Sequence, residues 1–132
     1  MGNKCIITTD KNLKSNGIGI YLHWNGDIDS VAAFLKYCKL HRYRKPENDN
    51  YGFAMLTNVI TNFFGNGLSC GVGLVNNLDD SDNGIYVIKD WEIFYRKANR
   101  DISAEKVNKS HVAAMVKAID SYMPEHMKLY KT

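Results

Sequence analysis

The chain has 132 residues, of which 45% are hydrophobic and 23% charged, and its formal net charge is +3. This length suffices for a hydrophobic core without disulfides or a structural metal, and the composition is ordinary for a soluble globular protein. The small net charge gives no reason by itself to expect a nucleic-acid-binding protein. We therefore expect a single α+β domain over residues 1–132, in which 101–132 form a C-terminal helical extension.

Cysteine usage and hydropathy indicate the compartment. The chain has three widely spaced cysteines, Cys5, Cys38 and Cys70. An odd number at this spacing fits reduced thiols better than a disulfide framework. No stretch is long and apolar enough for a membrane span, and the first residues lack the apolar core of a signal peptide. These features predict a cytoplasmic protein that binds no membrane and needs no cofactor, and they leave a homo-oligomer open.

The first third of the chain predicts a β-hairpin followed by a helix. Residues 4–9 are a short β-prone run, residues 17–24 carry apolar residues at strand spacing, and the polar turn between them predicts that they pair. Asp29 or Ser30 can cap a helix after the second strand, and this helix must end before Pro46. Helical spacing predicts a buried stripe of Val31, Phe34, Leu35 and Cys38.

The middle of the chain predicts a second helix and a glycine-rich strand. Asp49 or Asn50 can cap this helix, and Gly65 is well placed to end it. Residues 68–75 follow as a strand, whose glycines indicate close backbone packing rather than a phosphate-binding loop.

The last third predicts a second hairpin and a closing helix. An acidic turn over residues 79–84 leads into a strand at 85–89, and 91–97 is its expected partner. The closing helix is expected to start near Asp101 or Ser103. The order ββααβββα predicts an α+β fold with a mainly antiparallel sheet of about five strands, a two-helix insertion and a C-terminal helix.

The corner between the second strand and the first helix holds the candidate catalytic residues His23, Asp27 and Asp29, next to Ser30. An imidazole near two carboxylates is the residue set of an acid/base or metal-dependent hydrolase. Structural roles fit the same residues, because Asp29 can cap the helix and Asn-Gly-Asp is common in turns. We favour the structural roles and keep the hydrolase as the alternative.

Cys38 and His41 are a second candidate pair, because residues three apart are neighbours on one helix face. The surrounding cations favour a thiolate, yet Cys38 falls on the apolar stripe, where a buried and unreactive cysteine is the usual case. We therefore expect no nucleophilic catalysis from this pair.

The acidic turn partly matches a calcium-binding loop. Asp79, Ser81, Asn83 and Asp90 fall at positions one, three, five and twelve of such a loop, with Gly84 at position six. The flanking segments are predicted strands rather than helices, and the last position is Asp rather than Glu. A solvated hairpin turn is therefore favoured over a metal site.

The most basic segment of the chain is KYCKLHRYRK, residues 36–45. It holds five of the 17 basic residues, with two tyrosines between them. Cations neutralise phosphates and aromatic rings stack on bases, so the segment is a candidate binding surface. The alternative is a helix end whose cations complement the helix dipole. The candidate binding residues are Lys36, Lys39, His41, Arg42, Tyr43, Arg44 and Lys45, extended by Arg96 and Lys97.

Three blocks carry a resemblance to a group of known sequences: GIYLHWNGDIDSVAAFLKYCK, FAMLTNVITNFFGNGLSCGVG and DNGIYVIKDWEI. Over residues 2–97 the chain resembles small proteins of prophages and mobile elements of Gram-positive bacteria, and its C-terminal helix departs from them. The resemblance implies a phage-borne accessory protein that acts on host machinery or host defence. It transfers no functional residue to this chain.

Two functions are therefore open. The favoured one is a non-enzymatic binding protein that inhibits a host defence system through the basic-aromatic surface, as an anti-CRISPR-like inhibitor or by sequestering a nucleotide signal. The alternative is a small hydrolase that uses the His/Asp corner. The expected partner is a host defence protein or a nucleotide ligand, and a nucleic acid is less favoured because the net charge is mild.

Overall fold

The structure is a computed structural model that describes residues 2–13, 16–65 and 68–130. Its strands are β1 Cys5–Thr8, β2 Ile18–Leu22, β3 Cys70–Leu74, β4 Ile85–Lys89 and β5 Glu92–Lys97. Its helices are α1 Ile28–Leu40, α2 Asn50–Phe64 and α3 Lys109–Ser121, and short 3-10 turns lie at Val75–Asn77 and Glu125–Met127. None of the described helices has the length and apolar character needed to cross a membrane.

The five strands form one mixed sheet in the order β3-β2-β1-β4-β5. Antiparallel pairs join β1 to β2, β2 to β3 and β4 to β5, whereas β1 and β4 are parallel. The predicted α+β class, with a mainly antiparallel sheet of five strands, is confirmed. Both predicted hairpins are present, and the parallel β1–β4 pair joins them into one sheet.

Alternation along the strands divides the buried side chains between two faces. Cys5 and Ile7 of β1 point into the main core, together with Phe34 of α1. The intervening Ile6 lies on the opposite face in a small cluster with Val75. Helix α3 also enters the main core, so the C-terminal extension packs on the same body as α1.

The start of α1 differs from the prediction. Asp27, rather than Asp29 or Ser30, is the N-cap, and its backbone is extended at φ −67° and ψ 157°. Its carboxylate accepts hydrogen bonds from the amide nitrogen of Ser30 at 3.1 Å and from the hydroxyl of Ser30 at 2.9 Å. The earlier aspartate is the cap because Ile28 is already helical.

The start of α3 is also later than predicted. Asn108 caps the helix through its side-chain oxygen, which accepts from the backbone amides of Ser110 and His111. Asp101 instead holds a local turn by accepting from the amide and hydroxyl of Ser103. Aspartate and serine are common in such turns as well as in helix caps, which is why the sequence did not separate the two.

The second hairpin turns on two residues with positive φ. Asp90 and Trp91 adopt φ values of 52° and 60°, so β5 begins at Glu92 rather than at the predicted residue 91. The Trp91 indole is buried and donates a hydrogen bond to the carbonyl of Tyr43 at 2.9 Å. This contact fixes the loop after α1 against the hairpin.

Candidate functional site

The His23, Asp27 and Asp29 side chains of the candidate catalytic corner are hydrogen-bonded to different partners. The Tyr21 hydroxyl lies 2.8 Å from Nδ1 of His23. Asp27 caps α1 and also accepts a hydrogen bond from the Asn3 amide at 3.1 Å. Asp29 accepts from the backbone nitrogen of Asn108 at 2.8 Å and contacts a histidine of α3. No hydrogen bond among the described residues joins the histidine to either carboxylate.

Each carboxylate of the corner therefore holds two chain segments together. Asp27 ties the start of α1 to the segment before β1, and Asp29 ties α1 to the start of α3 through Asn108 and His111. A general base needs an orienting partner within hydrogen-bond reach, and His23 has a tyrosine hydroxyl rather than a carboxylate in that position. This geometry is that of structural polar contacts.

Cys38 lies in the main core, as its place on the apolar stripe predicted. It is fully buried, and burial raises the pKa of its thiol well above the usual range. Thiolate chemistry requires the opposite shift. The Cys38 side chain therefore contributes to packing.

His41 follows α1 and is enclosed by aromatic rings. Its ring stacks on Tyr43 with centroids 4.9 Å apart and meets Tyr37 edge-on at 4.8 Å. Its Nε2 atom is buried and makes no hydrogen bond in the described part of the chain. Burial lowers the pKa of His41, and the nearby carbonyl of Met127 and carboxylate of Asp120 oppose this shift without reversing it.

A buried polar network under His41 was missed by the sequence analysis. The Tyr37 hydroxyl donates to the Asp120 carboxylate at 2.5 Å, and it also lies 3.1 Å from the carbonyl of Met127. The same carboxylate accepts from the backbone amides of Leu129 and Tyr130. Burial alone would raise the pKa of Asp120, but these three donors lower it below its usual range. No local sequence motif predicts this network, because its members come from distant parts of the chain.

The basic segment presents three cations to solvent. Lys36 and Lys39 are exposed on the outer face of α1, and Arg42 is exposed just after the helix. The described residues place no carboxylate within ion-pair distance of these three side chains, which we call the basic surface. Leu40 is 44% exposed between them, so the surface also carries an apolar contact point.

Helix α1 ends in a Schellman motif that places Arg42 at a position favouring glycine. The backbone amide of Tyr43 donates to the carbonyl of Cys38 at 3.2 Å, and that of Arg42 donates to the carbonyl of Lys39 at 2.9 Å. Arg42 adopts φ 59°, in the left-handed region. The chain carries a long cation where a side chain costs free energy.

Three further cations of the predicted binding set, Arg44, Lys45 and Arg96, have partners. Arg44 pairs with Asp49 at 3.0 Å and lies over the exposed ring of Tyr51, and Lys45 lies 3.7 Å from Asp90. The guanidinium of Arg96 is nearly fully buried and ion-paired to Glu105.

Lys97 is exposed but lies apart from the basic segment. It ends β5, at the opposite end of this strand from Trp91, whose indole binds the loop after α1. Of the two residues expected to extend the basic segment, Arg96 is thus engaged in internal contacts and Lys97 is displaced along the strand.

The side chains of the acidic turn form ion pairs and hydrogen bonds with other residues of the chain. Asp79 accepts hydrogen bonds from the hydroxyl and amide of Ser81 and pairs with Lys4 at 3.1 Å, and these contacts lower its pKa to about 2. Asn83 accepts hydrogen bonds from Arg96 and Arg100. Asp90 lies beyond the other end of β4, a strand of five residues that spans roughly 16 Å at about 3.3 Å per residue. The described residues contain no cluster of three or more His, Cys, Asp or Glu side chains arranged to hold a metal.

Three cavities in the described part of the chain are lined by residues outside the basic surface. One of about 510 Å³ lies where β1 ends and α2 begins, and Asp10, Glu47 and Asp49 are among its lining residues. Another of about 370 Å³ lies beside α3 and carries both lysines and carboxylates. A third, also of about 370 Å³, lies along the β4–β5 hairpin. The basic surface thus lies outside all three of these cavities.

Comparisons with protein-family models, with curated proteins and with solved structures find no match to this chain.

Proposed function

We propose that the protein is a non-enzymatic binding protein that inhibits a host defence system by docking its basic surface on an anionic surface of a defence protein. The observation that carries this proposal is the set of exposed cations Lys36, Lys39 and Arg42 at the end of α1, which have no carboxylate partner among the described residues. Unpaired cations retain their full attraction for an incoming anionic surface, because no internal carboxylate must first be displaced.

The exposure of the basic surface, outside the three cavities, favours a macromolecular partner over a sequestered nucleotide. Small-molecule sites are concave and enclose most of the ligand, whereas Lys36, Lys39 and Arg42 line none of the three cavities described above. The largest of these is rich in carboxylates, which repel phosphate groups. The exposed Leu40 adds an apolar contact of the kind that protein interfaces bury.

The defence-related part of the proposal rests on the resemblance to prophage proteins, which is an argument by association. Small phage-borne accessory proteins often act on host defence, and an anti-CRISPR-like inhibitor is the form that fits an open charged surface. The alternative hydrolase draws no support from the corner, since His23, Asp27 and Asp29 are hydrogen-bonded to different partners.

The triple variant Lys36→Glu, Lys39→Glu and Arg42→Glu tests the proposal. In bacteria that carry a CRISPR–Cas system active against a test phage, expression of the unmodified protein should restore phage plating. The triple variant should lose at least about tenfold of this effect, because the reversed charges repel the anionic partner. Plaque counts on matched strains with and without the defence system measure the difference.

A second triple variant, Lys11→Glu, Lys106→Glu and Lys109→Glu, is the control. These three lysines are also exposed, and the variant changes the net charge by the same amount. Equal loss in both variants would show that net charge, and not the basic surface, matters. Full plating with the first triple variant would contradict the proposal, and loss of activity in a stably folded His23→Ala variant would favour the hydrolase instead.

A further inference from the structure

Strand β3 forms one edge of the sheet, and its outer side has no neighbouring strand in the described part of the chain. The sheet order begins with β3, which pairs only with β2. An open edge presents a row of backbone N–H and C=O groups that can pair with another strand. The question is which strand this edge can accept.

The hydrogen bonds on the inner side show which residues face outward. At the two ends of the β2–β3 ladder, the amide of Val75 donates to Gly17 at 2.9 Å and that of His23 donates to Ser69 at 2.8 Å. Backbone groups alternate in direction along a strand. The backbone N–H and C=O groups of four residues therefore point toward β2, namely those of Ser69, Gly71, Gly73 and Val75. The backbone groups of the intervening residues point outward, namely those of Cys70, Val72 and Leu74.

The two edges of the sheet differ in their protection against pairing. Proteins usually block exposed edges with charges, prolines or bulges. Strand β5 has Glu92, Arg96 and Lys97, and its pairing with β4 contains a register shift. The sequence from 68 to 77, LSCGVGLVNN, has no charged residue and no proline, and β3 pairs with β2 in continuous register. Of the two edge strands in the described part of the chain, β3 is the one without such protection.

We propose that β3 is a dimerisation edge, which pairs antiparallel with β3 of a second copy of this chain around a two-fold axis at Val72. In this register Val72 lies opposite Val72, and Cys70 lies opposite Leu74 of the other copy. All three outward-facing residues of each chain then form hydrogen-bonded pairs. If the two-fold axis moves by one residue along β3 in either direction, one of these three residues loses its partner in the strand. The outward-facing residues of β3 are therefore fully paired with those of a second copy in one register.

The side chains around this edge fit the same partner. Val72 and Leu74 face the same side of the sheet as Ile18, to which Leu74 is directly paired, and the three are 56%, 41% and 50% exposed. A second copy places its Val72 beside Val72 and its Cys70 beside Leu74, and it removes the apolar surface at the edge from water. Because the segment is uncharged, the two copies meet without like-charge repulsion.

The mass of the protein in solution tests the interface. Light scattering or sedimentation over a range of concentrations should show a species of twice the chain mass of 15.0 kDa, in equilibrium with the single chain. Val72→Lys should shift the population to single chains, because it places two like charges face to face on the axis. Val72→Pro should do the same and leave the β2–β3 ladder intact, since the amide it removes points outward.

Tyr95→Lys, a half-exposed position on the opposite edge strand, is the matched control and should leave the dimer unchanged. Single chains at every concentration of the unmodified protein would overturn the proposal. So would a dimer that persists in both Val72 variants or that is lost equally in Tyr95→Lys. Circular dichroism of each variant confirms that the mass change does not reflect unfolding.

Cross-linking tests the register. In a Cys70→Ser background, Val72→Cys places two thiols opposite each other, with a Cα separation of about 5.5 Å that allows a disulfide. Mild oxidation should then convert most of the protein to a disulfide-linked dimer. Ile18→Cys in the same background is equally exposed but one strand away, and it should cross-link at least about fivefold less within the same time. Equal cross-linking at both positions would overturn the two-fold pairing at Val72.

Discussion

Single polar residues in this protein connect segments that are distant in the chain. Asp27 caps α1 and holds Asn3, and Asp29 holds the start of α3 through Asn108. These carboxylates occupy a strand-to-helix corner, where catalytic residues are also common. What distinguishes the two roles is the partner of each oxygen atom.

The capping role of Asp27 predicts a stability effect. Replacing Asp27 with alanine should lower the free energy of unfolding by about 1–2 kcal/mol, because the amide and hydroxyl of Ser30 lose their acceptor. Urea unfolding monitored by circular dichroism measures this loss. Asp27→Asn keeps a capping oxygen and should retain most of the stability. If Asp27→Ala unfolds at the same urea concentration as the unmodified protein, the cap contributes nothing.

At the level of secondary-structure elements, the turn that ends α1 also positions one residue of the basic surface. The Schellman motif requires a left-handed residue after the helix, and that residue is Arg42 at φ 59°. The same turn directs the next residue, Tyr43, back toward the core, where it meets His41. The way in which α1 ends therefore exposes one cation and packs the partly buried residue that follows it against the core.

Arg42→Gly should raise the stability of the protein and weaken its binding to the partner. Glycine adopts positive φ without steric cost, so the variant should be more stable by about 0.5–1 kcal/mol after its larger loss of chain entropy is included. Binding to the anionic partner should weaken, because a cation of the basic surface is lost. Thermal unfolding and the plating assay measure the two effects.

The matched control is Arg42→Ala, which removes the same charge but keeps a Cβ atom at positive φ. It should weaken binding as much as Arg42→Gly without the gain in stability. Equal stability of the two variants would contradict the inferred backbone strain at Arg42.

For the whole molecule, the buried network around Asp120 fastens the C-terminal segment to the core. Tyr37 of α1, Asp120 of α3 and the backbone from Met127 to Tyr130 meet there, and His41 packs on the Tyr37 ring. This network connects α1 with the chain that follows α3. The carboxylate stabilises the fold in its ionised form, and the imidazole stabilises it in its neutral form.

These opposite preferences predict how stability depends on pH. The pKa of His41 is lower in the folded protein than its usual value of about 6.5, so the unfolded chain takes up a proton first as the pH falls. The free energy of unfolding should therefore decline as the pH falls below about 6.5. The pKa of Asp120 is lowered from about 3.9, so its contribution is present above that value and is lost as the pH falls below it.

Urea unfolding at a series of pH values between about 4 and 8 measures this dependence. His41→Gln removes the titrating ring, and the slope between about pH 5 and 7 should flatten in that variant whatever its absolute stability. An unchanged slope in His41→Gln would assign the acid sensitivity to other groups.

Local signals in the sequence were sufficient to predict the strands and helices. The strand patterns of residues 4–9 and 17–24, a cap at Asp49 or Asn50 and the stop at Gly65 predicted strands and a helix that the structure contains, and Asp49 is the cap. The wrong starts of α1 and α3 occur where several capping residues lie close together in the sequence. The choice between such residues depends on which backbone amides are left unpaired, and that is decided by tertiary contacts.

The sequence by itself determined the α+β class, both hairpins and the burial of Cys38, because periodicity and turn chemistry act over a few residues. Only the tertiary structure decided that β1 and β4 pair in parallel, that Arg96 is buried against Glu105, and that Asp120 lies beneath Tyr37. It also showed which cations of the segment 36–45 have no carboxylate partner among the described residues, and that the uncharged strand β3 lies at an edge of the sheet. These features depend on contacts between residues far apart in the chain, which leave no local pattern in the sequence.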